Sequence, residues 1–246
     1  MSPPRPTQLT SHLLALDPSS FKEATQTPFL RAAGAGTLSK DILQTWLSQD
    51  RLYAQAYVRF AAMLLANVKL NGTVDGSRFE ERLLDLILSS INNVRRELKF
   101  FEDVASRYDL DISSTGANVS TGVNMYQELF SEVGEAVEKG NMGMLEGMVL
   151  LWGTEICYLT AWRYASSCSH DSLVEVERCA DGGALRKEFI PNWTSDDFAA
   201  FVDEIAGFAD ALWGMEIEDY GEKLKIIESI WKRVLDVEKE FWPVVG

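Results

Sequence analysis

The sequence predicts an all-α protein built as a single domain. Apolar residues recur every three or four positions over several long stretches, and hardly any segment alternates apolar and polar residues as a strand does. Turn and cap signals between these stretches lie close together, so short connections join the predicted helices. Long helices with short joints are typical of one helical bundle, here over residues 1–246.

The first half of the chain predicts five helices. Residues 1–6 hold three of the seven prolines and are expected to form a flexible arm. A serine after Asp17-Pro18 is the expected cap of the second helix, and Ser39 is the expected cap of the fourth. The predicted helices cover residues 7–16, about 20–26, 28–33, 40–69 and 78–108. Turn signals at Asn71-Gly72 and Asp75-Gly76 separate the last two.

The second half continues in the same way after a polar loop at residues 109–120. The predicted helical pieces cover residues 123–139, 142–167, 172–178, 184–189, 196–215 and 218–241. Gly140-Asn141 ends the first of them, and Pro191 is expected to separate the fourth from the fifth. No internal repeat interrupts this order, which supports a single domain.

The acidic composition limits the partners of the protein. Its formal charge is −14 at pH 7, whereas nucleic acid and anionic membrane surfaces both attract positive charge. Three cysteines without a C-x-x-C pair fit thiols in a reducing compartment. The N-terminus lacks the apolar core of a signal peptide, and no run of about 18 uncharged apolar residues is present. We therefore expect a cytoplasmic protein without nucleic acid or membrane as partner.

The stretch GMVLLWGTEICYLTAW, residues 147–162, contains one charged residue, Glu155. Trp152, Tyr158 and Trp162 share a helix face with it at spacings of three and seven. The opposite face is also apolar, and a helix that is apolar all round is normally buried. A buried carboxylate needs a partner or a proton. Glu155 is therefore either a structural residue bonded to a nearby Arg or part of a functional site.

Two further acids lie among aromatic residues at helical spacing. Asp50 shares a face with Trp46, Tyr53 and Tyr57, which is unusual because Asp is a poor residue inside a helix. Near the C-terminus, Glu238 shares a face with aromatic residues. Because charged residues flank it, it also fits the exposed shoulder of an amphipathic helix, where its side chain would face solvent. Three such carboxylates converging in a helical core would suit a flat, polar heteroaromatic ligand.

The sequence contains fewer residues suited to metal-dependent, haem-dependent or nucleophilic chemistry. The chain has two histidines, and neither forms the Glu-x-x-His pair of a di-iron bundle or a credible Ser-His-Asp triad. No metal site is expected. His12 could be a haem ligand, although a surface or packing role fits it better. Cys157 lies about 200° around the helix from Glu155 and is expected to be an inert packing residue.

Four segments, in family order, resemble the TenA/THI-4 family. Residues 27–57, TPFLRAAGAGTLSKDILQTWLSQDRLYAQAY, match its opening pattern of Pro-Phe, Gly-Thr-Leu and Gln-Asp-x-x-Tyr. LLWGTEICYLTAW resembles the central helix of the branch whose active-site residue is Glu rather than Cys. PNWTSDDF, residues 191–198, resembles a Trp/Tyr-containing segment, and VEKEFW, residues 237–242, resembles the C-terminal Glu-x-x-Phe-Trp.

The resemblance implies a haem-oxygenase-like all-α fold that needs no haem, metal or other cofactor. It also implies an enzyme of thiamine salvage, a hydrolase that converts aminopyrimidine or formylaminopyrimidine breakdown products of thiamine towards hydroxymethylpyrimidine. The Cys branch, which also cleaves thiamine, has its cysteine at the position of Thr154, so cysteine-based thiaminase activity is not expected here. Because family members are often homo-oligomers, a dimer or tetramer is expected.

The same resemblance assigns roles to individual residues. Asp50 would hold the aminopyrimidine edge, Glu155 would act on water or substrate in place of the cysteine, and Glu238 would be a general acid or base. The expected substrate-binding side chains are Tyr53, Tyr158, Tyr126, Trp193, Phe198 and Phe241. Phe198 stands where some relatives carry a tyrosine. An aminopyrimidine hydrolase is thus the first hypothesis, and a non-catalytic protein that binds or senses a pyrimidine or another small heteroaromatic is the alternative.

Overall fold

A computed structural model of the protein describes residues 5–70, 78–113, 118–170, 172–216 and 220–245. Within these ranges the regular structure is helical and contains no strand, which confirms the all-α prediction. The helices are α1 (Leu9–Leu16), α2 (Pro18–Thr25), α3 (Pro28–Ala35), α4 (Lys40–Ala66), α5 (Arg78–Tyr108), α6 (Thr121–Glu138), α7 (Met144–His170), α8 (Ile190–Trp193), α9 (Asp196–Met215) and α10 (Tyr220–Phe241). A 3-10 turn at Val176–Arg178 and a π-helical turn at Leu185–Phe189 lie between α7 and α8.

Polar side chains cap the helices, with one correction to the prediction. Ser39 Oγ accepts the Ile42 backbone N–H at 3.4 Å, so it caps α4 as expected. The second helix is capped by Asp17 rather than by a serine, since Asp17 Oδ1 accepts the Ser20 N–H at 2.9 Å. Pro18 occupies the first helical position, where its missing N–H has no intrahelical partner to lose, and this places the cap on the residue before it.

The prediction that Pro191 separates two helical pieces is wrong. Pro191 lies near the start of α8, directly after the π-helical turn, whose wider spacing accommodates the proline ring and its missing N–H. The π-helical turn before it runs directly into α8, so the backbone stays helical through the proline. The helical backbone ends instead at Thr194, and Ser195 then caps α9 by accepting the Phe198 N–H at 3.3 Å.

Some predicted features lie outside the described residues. They are residues 1–4 of the arm, the turns within 71–77 and residues 114–117 of the polar loop. The helix expected to reach Lys69 ends at Ala66. The rest of the expected arm is held against α9: the Trp213 indole N–H donates to Pro6 O at 2.9 Å, and the Arg5 guanidinium lies 4.9 Å from the centre of that ring.

α7 is the central element of the fold. Every residue from Leu145 to Thr154 is buried, as expected for a helix that is apolar all round. It packs against α3, α9 and α10. No helix in the described part of the chain combines the length and the apolar character needed to cross a bilayer. The buried stretch of α7 is covered by the three helices that pack against it.

Two close backbone contacts each join a pair of helices. A Cβ added to Gly34 of α3 would lie 1.9 Å from Ala165 O of α7, and one added to Gly122 of α6 would lie 2.5 Å from Glu240 O of α10. No methyl group fits at either contact, so both require glycine. These contacts hold α3 against α7, and the start of α6 against the end of α10.

Buried aromatic rings join α4, α7, α8 and the end of α10. Trp46 lies among them, with ring centroids 5.3–6.4 Å from those of Phe29, Trp162, Trp193, Phe241 and Trp242. Aromatic pairs at such distances contribute about 0.5–1.5 kcal/mol each beyond the burial of their area. Tyr158 connects this cluster to the interior cavity described next, because its ring lies 5.4 Å from that of Trp193.

Candidate active site

An interior chamber of about 40 Å³ lies between α4, α5, α7 and α9. Its lining residues are Asp50, Tyr53, Ala54, Tyr57, Val94, Glu97, Glu155, Tyr158 and Phe198. Of the three carboxylates expected to converge, Asp50 and Glu155 therefore do so. The third acidic side chain of the lining is Glu97. No Lys, Arg or His belongs to the lining among the described residues, so the chamber contains three acidic side chains and no basic one.

A wider cleft of about 360 Å³ adjoins the chamber. The two spaces share Val94, Glu97, Glu155 and Phe198, which we call the neck. The other cleft residues are Ser90, Asn93, Arg96, Phe100, Asn192, Trp193, Ser195, Asp197 and Phe201. Because a water molecule needs about 10–15 Å³ of such volume, the chamber alone holds about three waters. A larger ligand must therefore extend through the neck into the cleft.

Asp50 is held in the chamber with one oxygen unpaired. Its side chain is 3% exposed, and the Tyr158 hydroxyl donates to Oδ2 at a long 3.4 Å. Oδ1 is buried without a hydrogen-bond partner among the described residues. Burial raises the pKa of Asp50 well above its ordinary value, and the negative charges of Glu97 and Glu238 raise it further. An N–H donor from a ligand would satisfy the free oxygen.

Glu155 lies at the neck and is half-buried. The Tyr57 hydroxyl donates to its Oε1 at 2.6 Å, so its partner is a tyrosine and not the arginine considered from the sequence. Burial raises the pKa of Glu155 to about 8, the hydrogen bond from Tyr57 opposes this shift, and repulsion from Glu97 adds to it. This carboxyl therefore carries a proton at neutral pH in most molecules and can act as a proton donor.

Glu238 lies one layer behind the chamber. It is 2% exposed, which rules out the exposed shoulder considered from its flanking charges. The Tyr126 hydroxyl donates to Oε1, whereas Oε2 is buried without a partner among the described residues. Burial raises the pKa of Glu238 to about 8. Glu238 is not among the residues that line the chamber or the cleft, so the predicted convergence of three carboxylates is met only in part.

The expected substrate-binding residues also divide into two layers. Tyr53, Tyr158 and Phe198 line the chamber, and Trp193 lines the cleft. Tyr126 and Phe241 lie behind Tyr53, with ring centroids 4.8 and 5.4 Å from its own. These two residues support the wall of the chamber, and neither is among its lining residues.

Glu97 is a site residue that the sequence reasoning missed. It lies at the neck on α5, where the Trp193 indole N–H donates to its Oε1. Burial raises its pKa to about 7, and that hydrogen bond opposes the shift. Its charged neighbours in sequence are typical of a solvated face. One available signal was its position three residues after Val94 and four before Phe101, both of which are buried.

The residues weighed for other chemistries lie elsewhere. His12 Nε2 is 2.7 Å from Glu228 Oε1 on α10, and His12 does not belong to the chamber or cleft lining. Cys157 is fully buried, and burial raises the pKa of its thiol well above the ordinary value. At the position of the family cysteine, the Thr154 hydroxyl donates to Leu151 O at 3.0 Å. Among the described residues, no group of three His, Cys, Asp or Glu side chains is arranged to hold a metal ion.

Comparisons with known proteins cover nearly the whole chain. The family described as TENA/THI-4/PQQC matches residues 20–245. A Fusarium pseudograminearum protein named "Probable transcription factor" is 30% identical over 238 residues, which cover 85% of this chain and 46% of that protein. A Glycine max protein named "Probable bifunctional TENA-E protein" is 21% identical over 226 residues, which cover 90% of this chain and 86% of that protein.

A solved structure agrees with this assignment at the level of the fold. The X-ray structure of a TenA homologue from Pyrococcus furiosus superposes with a TM-score of 0.75 at 21% sequence identity. The superposition covers 96% of this chain and 98% of that one. In contrast, the chain spans about half the length of the Fusarium protein.

Proposed function

Because the chain belongs to the TENA/THI-4/PQQC family and has its haem-oxygenase-like helical fold, we propose that it hydrolyses an aminopyrimidine, a formylaminopyrimidine or both. These compounds arise from thiamine breakdown, and the product would be hydroxymethylpyrimidine or its aminomethyl precursor. The name of the Glycine max relative supports a protein of the Glu type, as does Glu155 next to Thr154 in place of a cysteine.

The observation that carries this proposal is the unpaired oxygen of Asp50 inside a chamber walled by tyrosines. The ring nitrogen and amino group of an aminopyrimidine form an edge like that of an amidine, which a carboxylate or carboxylic acid can meet with two hydrogen bonds. Aromatic walls suit the faces of a flat ring. Asp50 would thus orient the pyrimidine ring, and the aminomethyl or formylaminomethyl substituent of that ring would lie at the neck, beside Glu155.

Two net reactions are consistent with this placement. A protonated aminomethyl group and water give a hydroxymethyl group and ammonium, with the C–N bond broken and a C–O bond formed. A formylaminomethyl group and water give an aminomethyl group and formate, with loss of a proton. In both, Glu155 would move protons between water and the leaving nitrogen, a role that suits a carboxyl with a pKa of about 8.

Glu238 would contribute indirectly. Its charge acts on the ionisation of Asp50, and its hydrogen bond to Tyr126 fixes the ring that backs Tyr53. The proposed general acid or base role therefore belongs more directly to Glu155, which lines the chamber. Tyr158 would position the reacting group through its contact with Asp50.

Product formation by the purified protein tests the proposal. Formylaminopyrimidine, aminopyrimidine and thiamine should be compared for the wild type, for Glu155→Gln and for the exposed control Glu135→Gln. We expect turnover of at least one of the first two, lost in Glu155→Gln and retained in the control. Absence of turnover and of binding for all three compounds would overturn the proposal.

A regulatory role is the second candidate, favoured by the name of the Fusarium relative. The same chamber could bind a pyrimidine or another small heteroaromatic without turning it over. Micromolar binding of aminopyrimidine that depends on Asp50, with no product from either substrate, would favour this candidate. Turnover that depends on Glu155 would exclude it as the main function.

A further inference from the structure

The chamber contains more carboxyl groups than recognition of a pyrimidine ring requires. Asp50 alone provides the carboxyl that meets a pyrimidine edge, yet Glu97 and Glu155 face the same space at the neck. No basic residue lines the chamber among the described ranges. Arg96 lines the outer cleft, and its guanidinium donates to Asn93 rather than to either glutamate. The neck therefore presents two carboxyls to whatever part of a ligand passes through it.

The hydrogen bond to Trp193 does not by itself account for a glutamate at position 97. A glutamine would accept the same indole N–H without placing a carboxylate beside two others. Unpaired charge in a poorly solvated site is unfavourable, and repulsion from Glu97 acts on both Asp50 and Glu155. A positively charged ligand group would remove this repulsion, and the unpaired Oδ1 of Asp50 indicates independently that the chamber receives a ligand.

We propose that Glu97 is a specificity-determining residue, which binds a protonated amine on the substrate side chain and selects it over a neutral amide. This inference rests on the proposed pyrimidine function and narrows its substrate. With the ring held by Asp50 in the chamber, an aminomethyl ammonium lies at the neck, where Glu97 accepts its N–H bonds. A formylamino group carries no charge and gains less from the same position.

Glu97→Gln tests the proposal, because it removes the charge and keeps an oxygen acceptor for Trp193. Glu102→Gln, an exposed position on the same helix, is the matched control. We expect kcat/KM for the aminopyrimidine to fall about 10- to 100-fold, the loss that one charge-assisted hydrogen bond predicts. The value for formylaminopyrimidine should change less than about threefold. Equal losses for both substrates would overturn the proposal and indicate a structural role for Glu97.

Equilibrium binding separates this inference from the proposed function. The probes are 4-amino-2-methylpyrimidines with an aminomethyl or a hydroxymethyl group at the same ring position, measured by calorimetry. Glu97→Gln should weaken only the charged probe, even if the protein turns nothing over. Equal weakening of both probes would overturn the inference alone, whereas binding of neither probe by the wild type would overturn the proposed function together with it.

The wild type provides a measurement that needs no variant. Binding of a cation beside the carboxyls should release protons from the site, whereas the neutral hydroxymethyl probe should release fewer. Calorimetry in two buffers with different ionisation enthalpies reports the number of protons released on binding. Equal proton release for the two probes would contradict a charged subsite at the neck, whether or not the Glu97 variant folds.

Discussion

The Tyr57 hydroxyl and the Glu155 carboxyl form a 2.6 Å hydrogen bond that joins α4 to α7 in the wall of the chamber. The bond occupies Oε1 of Glu155 and favours its ionised form, against the effect of burial. Tyr57 therefore helps to set the pH at which Glu155 loses its proton. It also fixes the direction in which this carboxyl faces the neck.

Tyr57→Phe should move the pH dependence of turnover. Without the hydrogen bond the pKa of Glu155 rises, so the alkaline limb of kcat should shift upward by about one pH unit or more. Rates between pH 5.5 and 10 check this. Tyr108→Phe, which removes a Tyr–Glu bond to Glu188 outside the chamber, is the control and should leave the profile unchanged. An unchanged limb in Tyr57→Phe would mean that another group titrates.

Asp50→Asn should reduce activity and increase stability. Loss of the carboxyl that meets the ring should lower kcat/KM at least about 100-fold, since two charge-assisted hydrogen bonds weaken. The same change removes a buried acid with an unpaired oxygen, so the melting temperature should rise by about 2–4 °C for each kcal/mol gained. Thermal unfolding of Asp50→Asn and of the exposed control Asp236→Asn measures this. A fall in melting temperature would show that Asp50 stabilises the fold.

Stability should decrease as the pH rises from about 4.5 to 8. Glu155 and Glu238 have a pKa of about 8 in the folded protein, against an ordinary value of 4.5, so the folded chain retains protons that the unfolded chain loses. Their stabilising contribution is complete below pH 4.5 and disappears as the pH approaches 8. Urea midpoints from pH 5.5 to 8.5 measure the slope. The Glu155→Gln/Glu238→Gln variant should flatten it, and an equal slope would assign the dependence to other groups.

Two glycine substitutions should have opposite effects. Gly34→Ala places a methyl group against the Ala165 carbonyl and should destabilise the protein by about 1–3 kcal/mol or more. Gly207→Ala, inside α9 with open space around it, should stabilise by about 0.5–1 kcal/mol because alanine favours helix. Urea denaturation compares them. Equal effects would show that α3 can move away from α7.

The helices were predictable because their signals are local. Caps such as Ser39 and turns such as Gly34-Ala35-Gly36 act within a few residues, and apolar periodicity identifies the buried face. Where the prediction was wrong, the deciding feature was a detail of position. Pro18 moved a cap to Asp17, and Pro191 stands in the first turn of a helix rather than between two.

The residue types of the site were predictable, but which of these residues line the cavity and which lie behind its wall was not. Helical spacing places Asp50, Glu155 and Glu238 on apolar faces, yet it cannot tell a residue that lines a cavity from one in the layer behind it. Glu238 and Tyr126 belong to that second layer, and Glu97 was hidden among charged neighbours. The expected homo-oligomer and cytoplasmic location depend on surfaces and signals beyond these contacts, and they stay predictions.

The burial of α7 from Leu145 to Thr154 has a consequence for how the protein opens. Residues of a helix that are buried on every side expose their amides only when the neighbouring helices separate, so hydrogen exchange in this stretch should require the separation of α7 from α3, α9 or α10. Because Glu155 directly follows this stretch and lines the chamber, the same opening would disrupt the chamber. A ligand bound there would slow the exchange of these core amides as well as that of residues near the neck, because it would stabilise the folded state that contains both the chamber and the core.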